Sequence, residues 1–157
     1  MIEITEAGDA DDIEIVRHLF RAYADGLPFS LDFQDFAAEL AGLPAPYTPP
    51  AGCLLLARAD AAPIGVVALK PLAAGIAEIK RLYVVPVARG AGIGRRLAEH
   101  AIAEAHAKGY ERVRLDTHRP SMSAAIALYR RLGFVEIAPY GPDLGGQIAF
   151  FEKRLWQ

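Results

Sequence analysis

Residues 89–97 read RGAGIGRRL, so glycines recur at every second position, Gly90, Gly92 and Gly94, before a segment with Ile93, Leu97, Ala101 and Ala105 at helical spacing. A helix start leaves its first backbone N–H groups unpaired and carries about half a positive charge. Bare glycines let an anion come close to those donors, and phosphate is the fitting guest. Taken alone, the glycines equally suit a tight strand-to-helix turn with no ligand. Spacing excludes two nucleotide motifs: Gly-Lys-Ser/Thr of a Walker A loop is absent, and the third glycine of G-x-G-x-x-G falls on Arg95.

Upstream, Glu78 is a carboxylate in the otherwise apolar entry, GIAEI, of the strand-like GIAEIKRLYVV. In an apolar site its pKa would rise and suit a general base; on an exposed strand, or paired with Lys80, it would have no such role. Strict alternation puts Glu78, Lys80, Leu82 and Val84 on one face and Ile79, Arg81 and Tyr83 on the other, unless a bulge reassigns them. Asp116 and His118 stand where the strand-like RLDTH meets a loop, as other candidates for a base or a substrate contact. No metal is expected. His100 and His106 are six apart on one helix and face different ways, His18 has no visible partner, and the single cysteine, Cys53, begins the apolar CLLLA as a small buried hydrophobe.

The elements that must hold these residues alternate in type along 157 residues, of which 53% are hydrophobic, and nothing splits the chain, so residues 1–157 form a single domain. IEITEA, CLLLARA, APIGVVALKPL, GIAEIKRLYVV, RVRLDT, FVEIA and QIAFFEKRL read as strands, the second to fourth as a meander. Helices are predicted after an Asp9 or Asp11 cap, over about residues 32–40, from the glycine stretch to about Lys108 with Gly109 closing it, and from Pro120 to Gly133. The formal charge of −2, without a basic run, gives no nucleic-acid footprint, and nowhere do about 18 apolar residues run together to cross a membrane. The acidic start, without a signal-like apolar core, predicts a cytoplasmic protein.

The sequence EIKRLYVVPVARGAGIGRRL, followed by AAIALYRRLGF, resembles the GNAT (Gcn5-related N-acetyltransferase) superfamily, whose Q/R-x-x-G-x-G/A signature is met by Arg89, Gly92 and Gly94. The N-terminal LDFQDFAAELAGLPAPYTPPAGCLLLA is similar to a recurring bacterial subgroup of undefined substrate. The resemblance implies an α/β fold: a mixed, twisted sheet of about six or seven strands with helices on both faces, split between strands 4 and 5. It implies acetyl-CoA in that split, the pantetheine along Leu82, Tyr83 and Val84, and the pyrophosphate on Arg89, Gly90, Ala91, Gly92, Ile93, Gly94 and Arg95. Where the superfamily often has Asn, seven residues before the tyrosine, this chain has Met122.

An amine must be neutral to attack a thioester, so a base takes its proton. Glu78, eleven positions before Arg89, matches the base position of many members, and Tyr129 matches the tyrosine that assists the CoA thiolate. The implied activity is acetyl transfer to a primary amine of a small molecule, with a protein or peptide acceptor, or a non-catalytic acetyl-CoA sensor, as alternatives. Acceptor contacts are expected from Tyr23, Phe29, Phe33, Tyr47, Asp116 and Tyr140, with Asp25 and Asp32 attracting a cationic amine and the LPAPYTPP loop over the pocket. The protein is expected to act as a monomer or homodimer.

Overall fold

The structure, a computed structural model, describes residues 1–156, without the side chain of Phe33. Strands β1 (Ile2–Glu6), β2 (Cys53–Ala59), β3 (Ala62–Ala73), β4 (Ile76–Val84), β5 (Arg112–His118), β6 (Val135–Ile137) and β7 (Ile148–Arg154) form one sheet in the order β1-β2-β3-β4-β5-β7-β6. Every neighbouring pair is antiparallel except β4 with β5. The predicted meander is therefore present, and so is the mixed sheet.

Helices α1 (Ala10–Asp25) and α2 (Phe36–Gly42) cover one face, and α3 (Ile93–Ala107) and α4 (Ser123–Arg131) the other. Asp9 caps α1 by accepting the Asp12 N–H at 2.8 Å. Val16, Leu19 and Phe20 of α1 pack with Leu54, Leu56, Val66 and Ala68, while Leu97, Ala101 and Ala105 of α3 pack with Leu55, Val67, Leu69 and Ile79. Alternation along β2 and β3 thus feeds two cores, as a central strand must. Cys53 is fully buried, as its apolar setting predicts. Two helices differ from prediction. Residues 32–34 form a 3₁₀ turn, Asp35 takes a left-handed φ of 54°, and α2 begins only at Phe36. Helix α4 starts at Ser123, with Pro120 in the turn before it.

Strands β4 and β5 pair only at Ile76↔Arg112, Ala77↔Val113 and Glu78↔Arg114, and then part. Within the same stretch β4 is irregular against β3: Val66 faces Tyr83 and Ala68 faces Lys80, leaving Arg81 and Leu82 opposite Val67. This is a β-bulge, with Arg81 at φ 60°. Strict alternation is overturned there. Glu78, Lys80, Arg81 and Tyr83 lie toward α1 and α2, while Leu82 and Val84 join Ile79 beneath α3. Arg81 is 4% exposed and forks onto Glu39 of α2, Nε to Oε2 at 3.0 Å and Nη2 to Oε1 at 2.7 Å. The Tyr47 hydroxyl donates to the same Oε2 at 2.9 Å, and the Phe36 ring lies under the guanidinium. Burial by itself would raise the Glu39 carboxyl, but the hydrogen bond and charge of Arg81, with the Tyr47 hydroxyl, together outweigh it and hold the group below its usual range.

Removing Glu39 would strand a buried guanidinium. Glu39→Ala should therefore lower unfolding stability by about 3–5 kcal/mol, and Tyr47→Phe by only about 1 kcal/mol. Urea titration at neutral pH measures both, and equal losses would mean the ion pair is not what holds the bulge.

Candidate active site

Two cavities run through the opening between β4 and β5. The outer, of about 390 Å³, is bounded by Leu82, Tyr83, Val84 and Arg89 on one side and Met122 and Ala125 on the other. The inner, of about 60 Å³, reaches Lys80, Arg81, Asp116, Thr117 and Tyr129. Tyr23 of α1 and Met122 of the turn before α4 line both. The split thus has a groove leading to a narrow end.

The groove reaches Arg89, the residue just before the glycine stretch. Gly90 (φ 90°) and Gly92 (φ 77°) hold left-handed conformations that a side chain would strain, and Gly92 is the N-cap of α3 with no side-chain cap. The first intrahelical bond is Arg96 N–H to Gly92 C=O at 3.1 Å, so the N–H groups of Ile93, Gly94 and Arg95 have no partner within the helix. A Cβ on Gly94 would meet only Val84 Cγ2, at 3.8 Å, so crowding does not require glycine there. Arg89 ties the loop to the strand end: its Nε donates to Val84 C=O at 2.9 Å and its guanidinium lies 5.6 Å from the Tyr83 ring centre. Arg95 pairs with exposed Glu99 at 3.6 Å, and Arg96 reaches Ile2 C=O. The groove along the open β4 edge, with the uncapped start of α3 following Arg89 in the chain, fits an extended thioester ending in a pyrophosphate.

At the narrow end the sequence candidates divide. Tyr129 is buried beside Phe134, and burial pushes its pKa up, so its hydroxyl keeps its proton. Asp116 lines the same cavity, and burial raises its carboxyl, more than Lys80 lowers it. Glu78 is 5% exposed and does not line the cavity: its Oε2 accepts from the Tyr140 hydroxyl at 2.7 Å, and its Oε1 lies 3.6 Å from Lys70 Nζ and 4.0 Å from Lys80 Nζ. Tyr140 itself packs edge-on against Phe150 under the Arg114 guanidinium. His118 is buried, with Nδ1 2.7 Å from Ser121 Oγ and its ring against Phe29.

Of the acceptor candidates, Tyr23 and Asp116 meet in the inner cavity, and Phe29 and Tyr140 sit on the same sheet face. Tyr47 does not join them. It is 1% exposed in the core beneath α1, edge-on to Phe20, so its loop anchors the fold and lines neither cavity. Asp25 and Asp32 are exposed and also line neither, and the Phe33 side chain lies outside the described residues. Sequence reasoning missed Glu39 as the partner of Arg81. The one available signal was two adjacent cations, Lys80 and Arg81, in a strand that must bury one face. Among the described residues no group of three or more His, Cys, Asp or Glu is placed to hold a metal ion, and no helix is long and apolar enough to cross a membrane.

A mixed sheet parted between two parallel strands, with an uncapped helix start at one end of the gap and a protonated tyrosine at the other, is an acyl-transfer scaffold. The model of the family described as Acetyltransferase (GNAT) family matches residues 14–134. The uncharacterized N-acetyltransferase C1271.07c of Schizosaccharomyces pombe is 33% identical over 141 residues, 88% of this chain and 86% of that one. The crystal structure of a putative acyl-CoA N-acyltransferase from Klebsiella pneumoniae superposes with a TM-score of 0.73 at 31% identity, covering 99% of both chains. PaiA N-acetyltransferase from Thermoplasma acidophilum, solved in complex with coenzyme A, shares the fold with a TM-score of 0.72 at 24% identity, over 98% of this chain and 99% of that one. The chain belongs to the GNAT acetyltransferase family, and it is an acetyltransferase.

The raised carboxyl of Asp116 has a stability consequence of definite sign. Its native state holds the proton more tightly than the unfolded chain, whose value is near 3.8, so its cost to stability is absent below that pH and grows as pH rises through the native value. Asp116→Asn should therefore unfold at a higher temperature than the parent protein at neutral pH, the gap closing as pH falls toward 3.8. Calorimetry from about pH 3.5 to about pH 8 tests this. A variant less stable at every pH would refute the burial argument.

Proposed function

We propose that the protein transfers the acetyl group of acetyl-CoA directly to a primary amine of a small molecule. The observation that carries this reading is the meeting of Asp116 and Tyr129 in one narrow cavity, beside a groove along the open edge of β4 that reaches Arg89, just before the glycine turn that opens α3. The unpaired N–H groups of α3 receive the pyrophosphate, the free edge of β4 around Leu82, Tyr83 and Val84 aligns the pantetheine, and the thioester carbonyl is brought to the inner cavity.

The amine nitrogen attacks the carbonyl carbon, and its surplus proton passes to a carboxylate, directly or through water. The C–S bond then breaks, its electron pair stays on sulfur, and the Tyr129 O–H supplies the proton that makes the free thiol. Solvent restores the tyrosine. Two carboxylates compete for the base. Glu78 matches the family position, but it is held by Tyr140, Lys70 and Lys80 behind the cavity wall. Asp116 faces the cavity and has the raised pKa that a base needs. This favours Asp116, with Glu78 positioning Tyr140 and Lys80.

Binding and chemistry are tested separately. Acetyl-CoA at about a hundred times its Kd should stabilise the protein by about 2.7 kcal/mol, and Gly92→Val should remove most of that shift; no shift in the parent protein would end the coenzyme reading. In a thiol-release assay over amines, amino acids and peptides, Asp116→Asn should lower kcat by about 10²–10⁴-fold and Glu78→Gln by much less. Tyr129→Phe should lower kcat without weakening acetyl-CoA binding, because its help is felt only in the transition state. The reverse ranking of the two carboxylates returns the base to Glu78. Thiol release only with peptides would favour a protein acceptor, and binding without release on any acceptor would favour a sensor.

A further inference from the structure

Resting on that reading, we infer that the acceptor is an α-amino acid, or an amine with a carboxylate beside the reacting nitrogen, held across the split by Asp116 and Lys80. The two side chains stand on opposite lips of the opening. Glu78↔Arg114 is the last pair joining β4 to β5, and Lys80 and Asp116 are the next residues on that same face, where no strand pairing closes the gap. Both line the inner cavity.

The Asp116 charge is not spent elsewhere, and that of Lys80 is spent only in part, on a long contact with Glu78. Among the described residues Asp116 has no ion pair and no side-chain hydrogen bond, and Lys80 is its strongest cationic influence without touching it. Lys80 Nζ meets the neutral Gln34 Oε1 at 3.2 Å and stands 4.0 Å from Glu78 Oε1, a distance at the edge of ion pairing. Glu78 is already shared with Tyr140 and Lys70. The neighbouring cations are committed: Arg81 to Glu39, and Arg114 to Glu152 at 2.9 Å. An anion and a cation therefore face each other across a gap that neither crosses.

A simple amine would satisfy Asp116 alone and leave the Lys80 ammonium facing an occupied, drier cavity. An amine with a carboxylate one carbon away answers both lips at once, nitrogen to Asp116 and carboxylate to Lys80. The smallness of the inner cavity, about 60 Å³, suits such a compact head group, with the rest of the acceptor outside it.

The test compares kcat/KM by thiol release for each common amino acid, its α-amide and its decarboxylated amine, with acetyl-CoA saturating. At least one amino acid should exceed both its amide and its amine by about tenfold or more, the size of one charge-assisted contact. Chemistry alone would favour the amide, whose less basic amine is more often neutral. Lys80→Met should bring the acid-to-amide ratio to near one, and Lys80→Arg should restore part of it. Ratios compare acceptors on the same protein, so a partly destabilised variant still reports. Amides or decarboxylated amines equal to or better than every amino acid would overturn the inference, as would a ratio untouched by Lys80→Met. Turnover of other amines without any amino acid overturns it while leaving acetyl transfer standing; no acetyl-CoA binding overturns both.

Discussion

The interior of a β-sheet tolerates no gap by default, because each unpaired N–H and C=O withdrawn from water costs about as much as a lost hydrogen bond. Here β4 and β5 leave their facing edges unpaired beyond Glu78 and Arg114. Much else in the structure follows from keeping that gap open. β5 is paired with β7 along its whole length, from Arg112↔Arg154 to His118↔Ile148, and β4 is paired on its other side with β3. Each strand is thus secured outward, and the edges between them stay unpaired beyond Glu78 and Arg114. Tyr23 from one face and Tyr129 with Ala125 from the other line the opening, so the helices stand at its sides rather than across it.

The bulge at Arg81 does the second part of the work. Without it, Leu82 and Val84 would follow Lys80 toward α1, and the groove wall would lose its apolar lining beneath α3. The left-handed residue costs on the order of 1–3 kcal/mol, and a buried arginine costs more unless it is paired. Glu39, Tyr47 and Phe36 offset both by enclosing the guanidinium. The same pattern recurs across the split, where Arg114 is neutralised by Glu152. Charges around the acceptor side are thereby matched within each half of the sheet, and Asp116 and Lys80 are the pair left to face the gap.

How far this was legible in the sequence depends on how local the cause is. The glycine stretch announces a helix start because positive φ at Gly90 and Gly92 is a property of those residues, and the seven strands show as apolar runs between turn signals. Glu39 could not be tied to Arg81, because the two are 42 residues apart and meet only when α2 packs on the sheet. Tyr47 misled for a related reason: an aromatic in a proline-rich loop looks like a surface contact, and only the packing on Phe20 and the hydroxyl bond to Glu39 make it core. Alternation along β4 failed because a bulge is set by the partner strand's register, which the β4 sequence does not contain. The balance between Glu78 and Asp116 is likewise set by what surrounds each carboxylate, not by its position in the chain.

Met122 shows how a single departure from the family pattern shifts the load. An Asn there would bring an amide to the groove wall; Met122 brings a thioether, whose sulfur accepts the Thr117 hydroxyl at 3.0 Å and so faces the protein's own polar group. It occupies the N-cap position of α4 and offers that helix no side-chain cap, yet it lines both cavities. The wall on the α4 side thus presents apolar surface at Met122, Ala124 and Ala125 and polar groups at Ser121 and Ser123. Opposite it the groove is bounded by the edge of β4, whose main-chain groups have no strand partner on that side beyond Glu78. Arg89, Arg95 and Arg96 are meanwhile occupied with the Val84 carbonyl, Glu99 and the Ile2 carbonyl, so the polar edge of the groove rests more on the position of the main chain than on these side chains. A shift of β4 would displace that edge, and this ties the shape of the groove to the bulge and its buried ion pair.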